Sequence, residues 1–522
     1  MSRGKNVMKN KSILIENKLY IFIFIITVFY SIHYLKDINE NIIILLYIIS
    51  FMIFFFFGFY SSKNKMVSCL IFIFISLFIF IEYVTKRMTS FYFHDIPLEI
   101  ISILYDTNLD EIKNNIFFST IECVGIMLII CYIFILIKEK IKKKKEKRKL
   151  DILFSVIHIF IFFTLLMLTS NSFIKTIKKI KDNKNLIANT LDIIEKRNKF
   201  TWGAKSEIDE KQTVVIFLGE THRGDFLSIN GYEKETTPRL KKRELISFTN
   251  AISQGAYTLI STPMIMSRKN VHNNGVFHEK SLISAFKEAG FKTWYVSYLS
   301  KTHSGDNEIN LMANEADVYI RSSVSNKILS EILSDKSNKK LIVYKTVGSH
   351  YLYHVRYPKE YDFFKPSFTE KDYSVPSSKD KEKLQNNYAN SVLYSVDKQV
   401  DDFISILEKE SGLVSLSFIS DHGTAIFDDN RSLYGGNTKG NYSIALFFWF
   451  NDLYKNKYNN DINLLNKNKN KKVTAEYFVD TMFQIGKLST KIKKNKSLFD
   501  EDLIEKKRMV KNHNILDYDK DI

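Results

Sequence analysis

The sequence predicts two unlike parts. A five-helix membrane domain occupies residues 1–172, and an α/β sandwich with a mainly parallel sheet occupies residues 211–522. A bridging helix and linker at 173–210 joins them. Three observations carry this reading. Five apolar runs, 19–35, 42–60, 66–84, 116–137 and 150–174, are each near the roughly 20 residues an α-helix needs to cross a bilayer. From residue 212 the texture changes to short β-branched and aromatic runs separated by stretches of helical periodicity. The positive charge is also localised: of the formal net charge of +18, +13 sits in residues 1–18, 63–65 and 138–149, which flank the apolar runs. Basicity placed that way is a topology signal, so no nucleic-acid partner is expected.

The membrane part follows from the loops. Short loops rich in Lys and Arg stay cytoplasmic. Five spans put the N-terminus, the 61–65 turn and the 138–149 run on that side together. The 36–41 turn, the 85–115 loop and everything after 174 then face outward. No small-residue cleavage site follows the first run, so it reads as an anchor helix and not a removable signal. A bacterial inner membrane with a periplasmic C-terminal domain is the expectation. Glu82 and Glu122 lie at or inside spans. Such acids are functional candidates, with snorkelling to the interface as the plainer alternative. Cys69, Cys123 and Cys131 all fall in apolar runs, which leaves the polar part with neither a disulfide framework nor a cysteine metal site.

Phe173, Ile174, Ile177 and Ile180 recur at helical spacing among lysines, the pattern of a helix lying on a membrane surface. In the outward part, residues 213–218, 293–296, 341–346, 414–420 and 444–450 read as buried strands. Residues 282–289, 387–408 and 475–485 read as helices. In such sheets ligands gather outside the carboxyl ends of the strands. One strand runs into Gly219-Glu220-Thr221 and another into Asp421-His422-Gly423. Two carboxylates and an imidazole suit Zn²⁺ or Mn²⁺. The stretch from Ser253 to Pro263 offers Thr258, Ser261 and Thr262 at a loop-to-helix transition, where a helix N-terminus favours phosphate. A threonine nucleophile needs a base or a metal to activate it. On the residues alone these hydroxyls serve equally well as caps.

Together these residues resemble the bacterial phosphoethanolamine transferases, of the alkaline-phosphatase/sulfatase superfamily. The resemblance rests on Val214 to Thr221, Asn230-Gly231-Tyr232, Thr236-Thr237-Pro238, Gly348-Ser349-His350, Arg356-Tyr357-Pro358, Asn387 to Asp397 and Ser420 to Gly423, in that order. It implies transfer of phosphoethanolamine from phosphatidylethanolamine to lipopolysaccharide, at lipid A or the core, or to another envelope glycan, through a phospho-threonine intermediate. It implies Glu220, Thr258, Asp421 and His422 as metal ligands, Thr258 as nucleophile, and His350 as a group that orients the phosphate or protonates the leaving oxygen. Glu111 matches an acid that binds the ethanolamine ammonium, and Tyr434 stands in the substrate site where the family has a second His. Zn²⁺ is the implied cofactor, with Mn²⁺ or Mg²⁺ as alternatives. A monomer is expected, and polymyxin resistance is the phenotype to look for.

This chain departs from the family pattern at three further positions. Gln254 and Met264 replace cysteines that flank the nucleophile loop in many relatives, and Ile103 replaces an Asn. A phosphoglycerol transferase of the lipoteichoic-acid type would share the anchor, the fold and the Thr nucleophile. The Asn-Gly-Tyr and Thr-Thr-Pro signature argues against it. A true sulfatase needs Arg two residues after the proline of its maturation motif, and Ile265 stands there. A non-enzymatic scaffold predicts a broken ligand set, whereas all four ligands are present.

Overall fold

A computed structural model of the chain describes residues 193, 195–298, 308–369, 376–430, 433, 437–492, 496–512 and 514–522. The five expected spans and most of the bridging segment lie outside these residues, as do Glu82, Glu122, Glu111 and Tyr434. Among the described residues no helix is long and apolar enough to cross a membrane.

A seven-stranded sheet organises the described part. Its strands in chain order are β1 (Gln212–Gly219), β2 (Ile246–Ser247), β3 (Lys292–Ser297), β4 (Val318–Arg321), β5 (Lys339–Lys345), β6 (Leu413–Ser420) and β7 (Leu446–Phe450). Across the sheet they run β2-β7-β6-β1-β5-β3-β4. The five strands from β6 to β4 are parallel. At the other edge β7 is antiparallel to β6, and β2 to β7. The sheet is therefore mixed. Leu-Phe-Phe-Trp-Phe in β7 is apolar throughout because both its faces are covered, so composition does not tell its direction. All five strands expected from the sequence are present. The two it does not reveal are β2, only two residues long, and β4, a half-exposed edge strand.

Alternation along β1 builds the two halves of the core. Val214, Ile216 and Leu218 face one way, onto α1 (Thr258–Met266), α2 (Leu282–Glu288) and α6 (Phe478–Ile485). Val215 and Phe217 face the other way, onto α3 (Asn326–Leu333), α4 (Lys381–Val392) and α5 (Gln399–Leu407). Helices on both faces make a three-layer sandwich. The caps are local and explicable: the Ser281 side chain accepts the Ile283 N–H at the start of α2, and Ser325 accepts that of Ile328 at the start of α3. Val400, Phe403, Ile404 and Leu407 place one apolar stripe of α5 on the sheet. Phe403 meets Phe217 edge-on at 5.4 Å and Tyr344 at 4.9 Å. Truncating this fully buried ring to alanine would cost about 3–5 kcal/mol. Between α4 and α5 the helix widens into a π-turn at Leu393–Lys398, the kind of irregularity that recurs at functional sites.

Because β5, β1 and β6 are adjacent and parallel, their carboxyl ends share one edge. Leu218 pairs with Lys345 on one side, and Gly219 pairs with Ser420 on the other. The residues that follow β1 and β6, and the last residue of β5, must therefore converge.

Candidate active site

The turn after β1 is held from three directions. Thr221 has φ 63°, a left-handed conformation that costs a β-branched residue energy and persists only where its surroundings demand it. Its N–H donates to Asp421 Oδ1 at 3.0 Å, and its carbonyl accepts the Tyr388 hydroxyl at 2.6 Å. The same hydroxyl accepts the Arg223 N–H at 2.7 Å. Next door, Gly348 has φ 47°, and a Cβ there would stand 2.5 Å from the Glu220 carbonyl oxygen. Only glycine permits this approach, which lets Ser349 N–H donate to that carbonyl at 3.0 Å. Gly423 is bound by the same logic, since a Cβ would sit 2.0 Å from Gly440 O.

Four side chains then meet at one point. Thr258 Oγ1 lies 3.0 and 3.3 Å from the two oxygens of Glu220 and 3.2 Å from His422 Nε2. His422 Nε2 is 3.3 Å from Glu220 Oε1 and 3.8 Å from Asp421 Oδ2. Glu220, Asp421 and His422 are buried and form the one three-residue group with metal-ligating potential found among the described residues. Ligands about 2.0–2.2 Å from a tetrahedral Zn²⁺ are separated from one another by about 3.3–3.6 Å. The observed separations bracket that spacing, so these residues fit a divalent cation. Asp421 Oδ1 accepts the N–H groups of Thr221 and, at 2.7 Å, His422, which leaves Oδ2 as the oxygen clear of backbone donors. His422 Nδ1 is 2.6 Å from the Gly423 carbonyl, which leaves Nε2 directed at the cluster.

Thr258 is the first residue of α1, with Tyr257 extended before it. The helix thus presents its positive end at the hydroxyl. Thr258 is half-buried, open on one side to solvent. The loop leading to it is pinned without cysteines. Ser253 N–H donates to Tyr442 O and Lys511 N–H to Gln254 O, each at 2.8 Å, so two distant segments fasten the loop before Thr258.

Lys345 is the residue that the sequence reading missed. Its buried ammonium lies 2.5 Å from Glu220 Oε2 and 2.9 Å from Asp421 Oδ2. It is the last residue of an apolar strand beside β1, which is the signal that could have found it. Burial pushes the Glu220 carboxyl up, but Lys345, His422 and His350 outweigh that and hold it well below the usual range. Burial likewise lowers His422, yet Asp421 and Glu220 bring it above its ordinary value. His222, directly behind the cluster, is pushed down to about 3 by burial and stays neutral, 2.8 Å from Ser395 Oγ in the π-turn. His350 is partly buried; its Nδ1 is 2.9 Å from Tyr351 O, and its field reaches Glu220. The structure thus gathers Glu220, Thr258, Asp421 and His422, with His350 alongside.

The fold has counterparts among known proteins. The sulfatase family profile matches residues 212–487. Phosphoethanolamine transferase EptA of Salmonella typhimurium is 29% identical over 297 residues, covering 53% of this chain and 52% of that protein. The EptA of Helicobacter pylori is 31% identical over 267 residues, covering 47% and 49%. The chain spans about half the length of the curated relatives it matches. Among solved structures, the C-terminal periplasmic domain of EcEptC from Escherichia coli aligns with a TM-score of 0.54 at 22% identity, covering 61% of this chain and 95% of that one. That domain has also been solved in complex with Zn. The integral membrane protein lipooligosaccharide phosphoethanolamine transferase A from Neisseria meningitidis aligns at TM-score 0.58 and 18% identity, covering 88% of this chain and 92% of that one.

Proposed function

The chain belongs to the sulfatase family, and from that premise we propose that it transfers phosphoethanolamine from phosphatidylethanolamine to an envelope glycolipid. The acceptor would be lipopolysaccharide, at lipid A or the core, and the reaction would pass through a phosphorylated Thr258. The observation that carries this reading is the position of Thr258 Oγ1, 3.0–3.3 Å from Glu220 and His422 at the start of a helix. The names of the curated relatives support phosphoethanolamine over phosphoglycerol as the transferred group.

Glu220, Asp421, His422 and Thr258 would hold the divalent cation. The nitrogen ligand and tetrahedral spacing favour Zn²⁺ over Mg²⁺. When bound, it supplies Lewis-acid activation of the hydroxyl and neutralises phosphoryl charge. The protein's own contribution is orientation and field. Glu220, kept ionised by Lys345, accepts the Thr258 hydroxyl hydrogen and turns the oxygen's lone pairs toward the open side. The first amides of α1 face the entering phosphoryl oxygens. His350 would donate a proton to the departing oxygen of diacylglycerol and then, in reverse, accept one from the attacking acceptor. Glu111 would bind the ethanolamine ammonium and Tyr434 the substrate. In this reading residues 1–172 anchor the enzyme in the inner membrane, 173–210 bridge, and 211–522 work in the periplasm as a monomer.

The test is direct. Full-length protein incubated with phosphatidylethanolamine should carry a phosphoethanolamine mass on the peptide containing Thr258. An adduct that never forms, or one that persists in Thr258→Ala, refutes the assignment.

A further inference from the structure

Lys345 invites a question that the ligand set leaves open. Glu220 and Asp421 are two buried carboxylates at neighbouring strand ends, and they would repel each other if uncompensated. The ammonium of Lys345 touches both, on Glu220 Oε2 and Asp421 Oδ2. The other Glu220 oxygen faces Thr258 and His422, and the other Asp421 oxygen is taken by two backbone N–H groups. Lys345 therefore bridges the two acids through one oxygen of each, and the Glu220 oxygen it holds also lies 3.3 Å from Thr258 Oγ1. Counting His422 as the neutral imidazole that ion binding requires, the two acids and the lysine carry a net charge of −1. One divalent ion brings the cluster to +1, suited to a phosphodiester anion. A second would bring it to +3 beside a buried ammonium, and no further cluster of His, Cys, Asp or Glu ligands adjoins it among the described residues.

We propose that Lys345 is the centre's built-in second cation: it keeps the two carboxylates converged before any ion arrives, and it confines the site to a single divalent ion. This rests on the metal-centre reading above.

The experiment uses the full-length chain in detergent as wild type, Lys345→Gln and Lys345→Arg. Each is stripped with chelator and titrated with Zn²⁺ and with Mn²⁺. Calorimetry reports affinity, elemental analysis after desalting reports stoichiometry, and thermal unfolding is followed with and without the ion. Wild type and Lys345→Arg should take one ion per chain. Lys345→Gln should bind its first ion about tenfold or more tightly, because a positive charge in contact with both carboxylates is gone. Its melting point should also lie below wild type when stripped and recover on adding the ion. Equal affinity and equal metal-dependent melting in Lys345→Gln and wild type would overturn the proposal alone. Two ions per wild-type chain would overturn it without reference to any variant, so a glutamine variant that fails to fold does not shelter it. A wild type that binds no divalent ion overturns the metal reading and this proposal with it.

Discussion

Tyr388→Phe removes one oxygen from the support of the site and leaves the ring. The Tyr388 side chain is fully buried, and its hydroxyl both donates to Thr221 O at 2.6 Å and accepts from Arg223 N–H at 2.7 Å. Phenylalanine keeps the edge-on contacts with Phe226 at 4.9 Å and Tyr353 at 5.2 Å, so little apolar packing is lost. What is lost is the partner of two buried backbone groups, each costing about 1–3 kcal/mol when left unsatisfied. Together that is about 2–6 kcal/mol, reduced by whatever strain Thr221 sheds on leaving its left-handed conformation, about 1–3 kcal/mol. A net loss of about 2 kcal/mol is a thirtyfold rise in local opening. Hydrogen exchange on peptides covering 219–224 in the full-length chain measures it. Since Thr221 N–H holds Asp421 Oδ1, divalent-ion affinity should fall as well. Exchange within threefold of wild type, with ion affinity unchanged, would refute the claim that Tyr388 holds the ligand turn.

Gly348→Ala should lower the melting point and weaken ion binding, because the new Cβ would meet Glu220 O at 2.5 Å in a backbone at φ 47°; an alanine variant that melts and binds like wild type refutes it. Asp397 accepts the N–H groups of Arg239 and Leu240, each at 2.9 Å, yet burial outweighs these bonds and raises its carboxyl to about 7. Between about pH 4 and 7 the folded state thus holds a proton that the unfolded state has released, so this group makes stability fall as pH rises through that window. Asp397→Asn should lose that fall, and melting profiles of the two proteins that stay parallel from pH 4 to 7 would contradict it. Reporter fusions after Ser61 and within 138–149 should read as cytoplasmic and fusions after Gln212 as external; a cytoplasmic signal from the last sinks the envelope reading.

Much of the site was legible because its parts are local. Glu220 and Asp421-His422 each follow a continuous apolar run, and Thr258 precedes a helical stretch, so pattern and position rule were enough to single them out. Gly348 and Gly423 stood in the quoted motifs, but their reason, a close backbone approach, is visible only once Glu220 and Gly440 are beside them. Tyr388 and Ser395 lay inside the run from Asn387 to Asp397 without a role, since their partners, Thr221 and His222, are more than 160 residues away.

By itself the sequence determined five of the seven sheet strands and three of the helical stretches, that apolar runs near the N-terminus have the length of membrane spans, and which polar residues stand at strand ends. Periodicity, composition and loop charge are properties of neighbouring residues, and they survive without a fold. Only the tertiary structure decided that β5 and β6 flank β1, that β7 runs antiparallel at the edge, and that Lys345 therefore meets Glu220 and Asp421. Both neighbours of β1 lie more than a hundred residues along the chain from it, and no local pattern encodes which apolar strand pairs with which. A lysine after a buried strand is unremarkable in sequence, and it becomes part of a charged centre because two parallel neighbours end beside it.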